Sequence, residues 1–144
     1  MGPYDAPRVR LPGAGGAPEI AASAREVIVV LRQTPRAFVE RLDFVTSVGH
    51  GRGGGSRGRL GYHGAGPTAI ITDLGILRPD PETREFTLVS LHTGATVEQA
   101  REAAGWDLEA AKRLDETEPP TAEELEILRD LRARTEASRQ SPKS

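Results

Sequence analysis

Glu26-Val27-Ile28-Val29-Val30-Leu31 is the stretch that decides the fold: five apolar residues in a row, four of them β-branched. β-Branched side chains are stiff at χ1 and sit well on a pleated surface, so the run predicts a strand. It has no polar alternation, which predicts burial on both faces, as in a central strand of a parallel or mixed sheet. Just upstream, Pro18 suits the first turn of a helix, where its missing N–H is no loss. A short helix through Ile20–Ala24 is expected, and helix followed by strand points to an α/β domain.

Working downstream, Phe38–Val45 carries a weaker apolar pattern, and a second strand is expected to end at Phe44–Val45. Residues 49–67 hold nine glycines together with His50, Arg52, Arg57, Arg59 and His63. So many glycines are costly to hold in regular structure, and the span reads as a long flexible loop. Thr68–Thr72 reads as a buried strand extending to Leu77, Pro79–Arg84 as a turn, and Phe86–Leu91 as the return strand of a hairpin. The C-terminal third reads as helical. Thr96-Val97-Glu98-Gln99 and Thr121-Ala122-Glu123-Glu124 are capping-box starts, Gly105 is a stop, and Leu125, Leu128 and Leu131 form a narrow apolar stripe. Together these predict a single α/β domain over residues 1–136, with a mixed, largely parallel sheet flanked by helices. A helical C-terminal tail then ends in disorder over 137–144.

Bulk properties narrow the function classes. A chain of 144 residues with net charge −2 is too balanced for a general nucleic-acid binder, whose domain would be strongly basic. With no cysteine there is neither a disulfide framework nor thiolate chemistry. No apolar run is long enough to span a bilayer, and Met1-Gly2-Pro3-Tyr4-Asp5 lacks the layout of a secretory signal, so a cytoplasmic location is expected.

Three segments, in this order, resemble the C-terminal part of the beta subunits of family I CoA-transferases. The glutaconate CoA-transferase type and its actinobacterial steroid-ring-degrading relatives are the nearest in pattern. The first segment is Arg10-Leu11-Pro12-Gly13-Ala14-Gly15-Gly16-Ala17-Pro18-Glu19-Ile20 leading into the strand at Val27, similar to the family's glycine loop. The second is Phe44-Val45-Thr46-Ser47 and the Gly-rich loop, leading into Gly66–Gly75. The third is Leu91–Glu98 with Ala104-Gly105-Trp106. The resemblance implies an acyl-CoA thioester as substrate, no permanently bound cofactor, and an alpha-type subunit as partner in a hetero-oligomer. It also implies CoA transfer or CoA-dependent ring hydrolysis. In the transferases proper, a glutamate upstream of the glycine loop attacks the thioester. That segment has no counterpart here, so no catalytic residue is assigned, and the chain is expected to be a fragment or one piece of a split subunit, inactive alone. The sheet is then expected to have an open edge that invites pairing.

Gly13, Ala14, Gly15, Gly16 and Ala17 are the leading substrate-binding candidates. Glycines allow close backbone approach, and the loop opens onto a helix start whose free N–H groups favour negative charge. Such donors suit the carbonyl oxygen of a thioester. Arg52 and Arg57 are candidates for CoA phosphates, with planar donors matched to that geometry. A solvated loop is the plainer reading of residues 51–59, and an Arg-Gly RNA contact a weaker one. Glu19, Glu26 and Glu40 lack the placed partner that acid–base work needs. His50, His63 and His92 show no ligand spacing for a metal, and Ser47, Ser56 and Ser90 no nucleophile-elbow context. Trp106 reads as a core anchor. The rival to an enzyme subunit is a truncated, non-catalytic interaction module.

Overall fold

The computed structural model describes residues 5–6 and 13–140. Arg10–Pro12 of the first motif and residues 141–144 of the expected tail lie outside them. Along the described chain come α1 (Ala17–Ser23), β1 (Val27–Val30), α2 (Ser56–Arg59), β2 (Pro67–Ile71), β3 (Gly75–Pro79), β4 (Phe86–Leu91), α3 (Val97–Glu102), β5 (Ala110–Glu116) and α4 (Ala122–Gln140). The strands form one sheet in the order β1-β2-β3-β4-β5. β1–β2 and β4–β5 pair parallel, while β2–β3 and β3–β4 pair antiparallel. Four strands therefore run one way and β3 alone runs against them, which is the mixed, largely parallel α/β sheet expected.

Local signals act where they were read. Pro18 stands in the first turn of α1. The Asp80 carboxylate accepts from the backbone N–H groups of Glu82 and Thr83 and closes the β3–β4 turn. Those bonds, Thr83's first, hold the Asp80 carboxyl below the usual carboxylate range. Thr96 and Gln99 form a reciprocal capping box at α3, and Thr121 and Glu124 repeat it before α4. After α3, the Gly105 N–H donates to Phe38 O at 2.7 Å, and a Cβ there would meet that oxygen at 2.7 Å, so the stop is enforced by tertiary contact.

The core is small. Leu77, Leu88 and Leu108 are fully buried, joined by Phe38 from the segment after β1 and Ala100 from α3. Leu77 and Leu88 are direct cross-strand partners. Trp106 stacks on Phe38 with ring centroids 5.8 Å apart, as a core anchor should.

Four expectations about the strands fail. β1 is an edge strand with one face open: Ile28 is 56% exposed and Val30 73%. Phe44–Val45 ends no strand; residues 39–50 are irregular, and Phe44 is 78% exposed. The run Thr68–Leu77 is broken by a turn. Thr72 Oγ1 accepts from the N–H groups of Leu74 and Gly75, and its one proton lies between Gln33 Oε1 and Gly75 O, each at 3.0 Å. Finally, Ala110–Glu116 is a strand inside the third expected to be helical. Its residues are good helix formers, but pairing with β4 overrides propensity. The C-terminal helix extends to Gln140, and its apolar residues Ile127, Leu128 and Leu131 are exposed.

Because the Thr72 hydroxyl closes the β2–β3 turn and bonds the buried Gln33, Thr72→Val should destabilise the domain by about 1–3 kcal/mol. Urea unfolding followed by the signal of Trp106 checks this, and an unchanged midpoint would remove Thr72 from the role given to it.

Candidate functional site

The Gly-rich span is a folded unit built round one side chain. Arg57, on α2, is only 6% exposed. Its guanidinium donates to Gly64 O at 3.1 Å, Gly49 O at 3.1 Å, Val48 O at 3.4 Å and Ala21 O at 3.2 Å. Its charged carbon also lies 5.3 Å from the centre of the Tyr62 ring. Arg57, the sequence candidate for CoA phosphates, thus sits inside the loop with its guanidinium turned to the protein's own carbonyls. Four of the five N–H groups of this fork are committed to carbonyls inside the protein, and the side chain is buried, so its work is to hold the loop. The glycines around it answer to close approach. A Cβ on Gly66 would lie 2.8 Å from the Arg57 side chain, and one on Gly53, at φ +73°, would lie 2.1 Å from Thr83 O on the β3–β4 turn. The span is thus wedged between the hairpin and the chain entering β1, where the Ala65 N–H donates to Arg25 O and the Val27 N–H to Gly66 O. Of the three arginines, Arg59 bonds Gly54 O at 2.7 Å and Arg52 is exposed, so little of an Arg-Gly display remains for RNA.

This packing shapes two adjoining clefts. One, of about 540 Å³, has a floor of Pro67, Ile70, Phe86 and Trp106, with Arg84, Glu85, Asp107 and Glu109 around it. The other, of about 550 Å³, is lined by Leu42, Val45, Tyr62 and Pro18 at the head of α1. Both share Gly49, His50 and Gly51 as a common wall. His50 Nε2 lies 2.7 Å from Pro67 O. A carbonyl only accepts, so Nε2 carries the proton, which leaves Nδ1 of the neutral ring as an acceptor. The ring also tilts against Phe86, 5.9 Å away. The sequence pattern gives His50 no role beyond the metal question. Its one local signal is a histidine flanked by two glycines.

Gly13–Ala17 is exposed at the start of α1, and Gly16 O accepts the first helical bond from Ile20 N at 3.1 Å. A Cβ at Gly13, Gly15 or Gly16 would meet nothing within 4 Å, and only Gly15, at φ +61°, needs glycine for its conformation. Pro18 brings the end of this loop to the second cleft beside His50. Arg52 stands apart in a depression with Glu82, Thr83 and Arg84. Glu19 and Glu40 are exposed, and Glu26 accepts from the Thr68 hydroxyl. His63 is exposed, and His92 Nε2 donates to Thr72 O at 2.9 Å. Ser90 pairs with the Thr117 hydroxyl. Among the described residues no group of His, Asp and Glu side chains is placed to hold a metal ion, and no helix is long and apolar enough to cross a membrane.

At the opposite end of the strands lies a second polar cluster. Gln33 is buried there, with Nε2 donating to Ala100 O and its backbone N–H donating to Asp73. That N–H is the chief reason the Asp73 carboxyl sits below its ordinary range, helped by the charges of Arg32 and His92. Its buried polar atoms have partners, so it reads as architecture.

A family model described as coenzyme A transferase matches residues 1–103. Over 138 residues the chain is 55% identical to the beta-type subunit of the 3-oxoadipate CoA-transferase of Pseudomonas knackmussii, covering 96% of this chain and 53% of that one. The crystal structure of glutaconate coenzyme A-transferase from Acidaminococcus fermentans superposes with a TM-score of 0.77 at 34% identity, over 90% of this chain and 50% of that one. The cholesterol ring-cleaving hydrolase IpdB subunit of Rhodococcus jostii is 25% identical over 131 residues, covering 91% of this chain and 51% of that one. The chain thus spans about half the length of the curated relatives it matches.

If Arg57 holds the loop, Arg57→Lys should cost about 3 kcal/mol, because one ammonium cannot serve four carbonyls spread over three segments. Arg52→Ala, at an exposed position, should stay within about 0.5 kcal/mol of the parent. Equal midpoints for the two variants in urea unfolding would refute the role given to Arg57.

Proposed function

The chain belongs to the coenzyme A transferase family, and from that premise we propose that it forms part of a beta-type subunit that works on acyl-CoA thioesters with an alpha-type partner. The observation that carries this is the 55% identity, over nearly all of the chain, to the beta-type subunit of a 3-oxoadipate CoA-transferase. It favours transfer of CoA to a short dicarboxylic acid. CoA-dependent ring hydrolysis, as in steroid breakdown, is the second reading, suggested by the weaker likeness to the ring-cleaving hydrolase. In either case CoA enters as substrate, no permanent cofactor is needed, and the cytoplasm is the setting proposed.

The residues proposed to act are Gly13–Ala17, with Arg52 at the periphery. Attack on a thioester puts negative charge on the carbonyl oxygen, and backbone N–H groups of an exposed glycine loop at a helix start can receive it without reorganising. The apolar cleft beside Pro18 offers the acyl portion a place next to those donors. No nucleophile is assigned to this chain, so chemistry requires the completed assembly.

The test is made on the tagged chain recovered from its own cells together with whatever alpha-type partner it retains. With an acyl-CoA donor and 3-oxoadipate or glutaconate as acceptor, transfer of CoA should be seen by chromatography of the thioesters. Gly15→Val, at a site with open space round the Cβ but positive φ, should cut kcat by about a hundredfold while leaving the complex intact. A recovered complex without thioester chemistry, or a fully active Gly15→Val complex, would sink the proposal.

A further inference from the structure

His50 stands where four clefts meet and lines each of them. Its Nε2 proton is taken by Pro67 O at 2.7 Å, and its ring leans on Phe86. The ring is therefore held in one tautomer and one orientation. The other nitrogen, Nδ1, is an acceptor in the neutral ring and has no hydrogen-bond partner among the described residues. Nor is it sealed off. Every fully buried side-chain nitrogen and oxygen among the described residues has a partner, so an unpartnered one lies open to the clefts that the half-buried ring lines. A fixed acceptor on an apolar wall asks for an N–H or O–H from whatever enters.

Charge narrows what that is. Around the apolar floor of the cleft over Phe86 stand three exposed carboxylates, Glu85, Asp107 and Glu109, against the single cation Arg84. This excess of negative charge turns phosphate and carboxylate groups away. An uncharged, partly apolar chain that carries N–H donors fits instead. In the next depression Arg84 and Arg52 face Glu82 and Glu85, so the charge there is balanced and anionic groups have their way out on that side. We propose that the cleft over Phe86 holds the pantetheine arm of CoA, and that His50 Nδ1 accepts from the amide N–H nearest the thioester. The arm carries two amides, one hydroxyl and no charge. The proposal rests on the acyl-CoA reading: with the acyl portion beside Pro18, the thioester lies at the wall of Gly49, His50 and Gly51 that the two clefts share, and the arm crosses it past His50. His50 is then a substrate-binding residue that reads the amide of the carrier and is indifferent to the acyl group.

The test compares acyl-CoA with the same acyl group carried on propanethiol, which has no amide, using the tagged chain with the partner it retains. His50→Ala should raise KM for acyl-CoA about tenfold, the worth of one hydrogen bond, and leave kcat within about twofold. It should leave KM for the propyl thioester unchanged. His50→Gln, whose amide can donate to Pro67 O and still offer a carbonyl, should recover most of the loss. A side chain that only shapes the wall would raise KM for both thioesters alike. That result, or an unchanged KM for acyl-CoA, overturns the proposal. Nitrogen NMR of the isotopically labelled complex reads binding without turnover. Added pantetheine should move the His50 Nδ1 resonance and leave Nε2 in place, and a stationary Nδ1 also overturns the proposal. If the parent complex turns over neither thioester, the acyl-CoA reading has failed, and the role of His50 is decided by the Nδ1 resonance alone.

Discussion

A buried guanidinium with no carboxylate partner among the described residues organises this molecule. Arg57 answers its charge with carbonyl oxygens from three places: the segment before the Gly-rich span, the end of that span, and α1. A buried cation is costly unless it is well supplied with acceptors, and four of the five N–H groups of this planar fork go to oxygens that converge from different directions. Convergence demands that the backbone come close, which is why Gly66 has no room for a Cβ against the arginine. The glycine content that reads locally as freedom is, in three dimensions, tight packing.

The same constraint decides where a cleft can exist. At one end of the strands, Gln33, Thr72 and His92 satisfy one another and nearby backbone groups, closing that end with a hydrogen-bonded network. At the other end, the loop held by Arg57 stands off the sheet and leaves the hollows that meet at His50. The sheet therefore presents a sealed end and an open one. The head of α1 reaches the open one through Pro18, and that adjacency ties the glycine loop at 13–17 to a cavity of useful size.

What could be read beforehand was what depends on neighbours in the chain. Pro18 at a helix start, the Asp80 turn and the capping boxes at Thr96 and Thr121 all involve residues within a few positions of each other, and each formed as expected. The ordered motifs likewise pointed to the family that the chain belongs to. What could not be read depends on partners far along the chain. β5 has helix-forming residues and becomes a strand because β4 offers an edge. Arg57 looks like a surface cation until its carbonyls are placed around it. The one-sided exposure of β1 could not be read either: its composition is that of a strand covered on both faces, yet among the described residues Ile28 and Val30 stay exposed. His50 escapes notice because its proton is oriented by Pro67 O, a contact invisible to any spacing rule.

The parallel pairing of β1 with β2 also has a kinetic meaning. β2, β3 and β4 are joined by short turns at Thr72–Leu74 and Asp80–Glu85, so their ladder assembles from contacts close in sequence. β1 can join only after residues 31–66 have been gathered into a loop, at an entropic cost of about 3 kcal/mol. Contacts that must close a long loop form late and set the pace of folding. The β2–β4 meander, built from the contacts nearest in sequence, is therefore where the ladder closes at the least entropic cost. During synthesis, the most adhesive strand of the chain waits longest for its place.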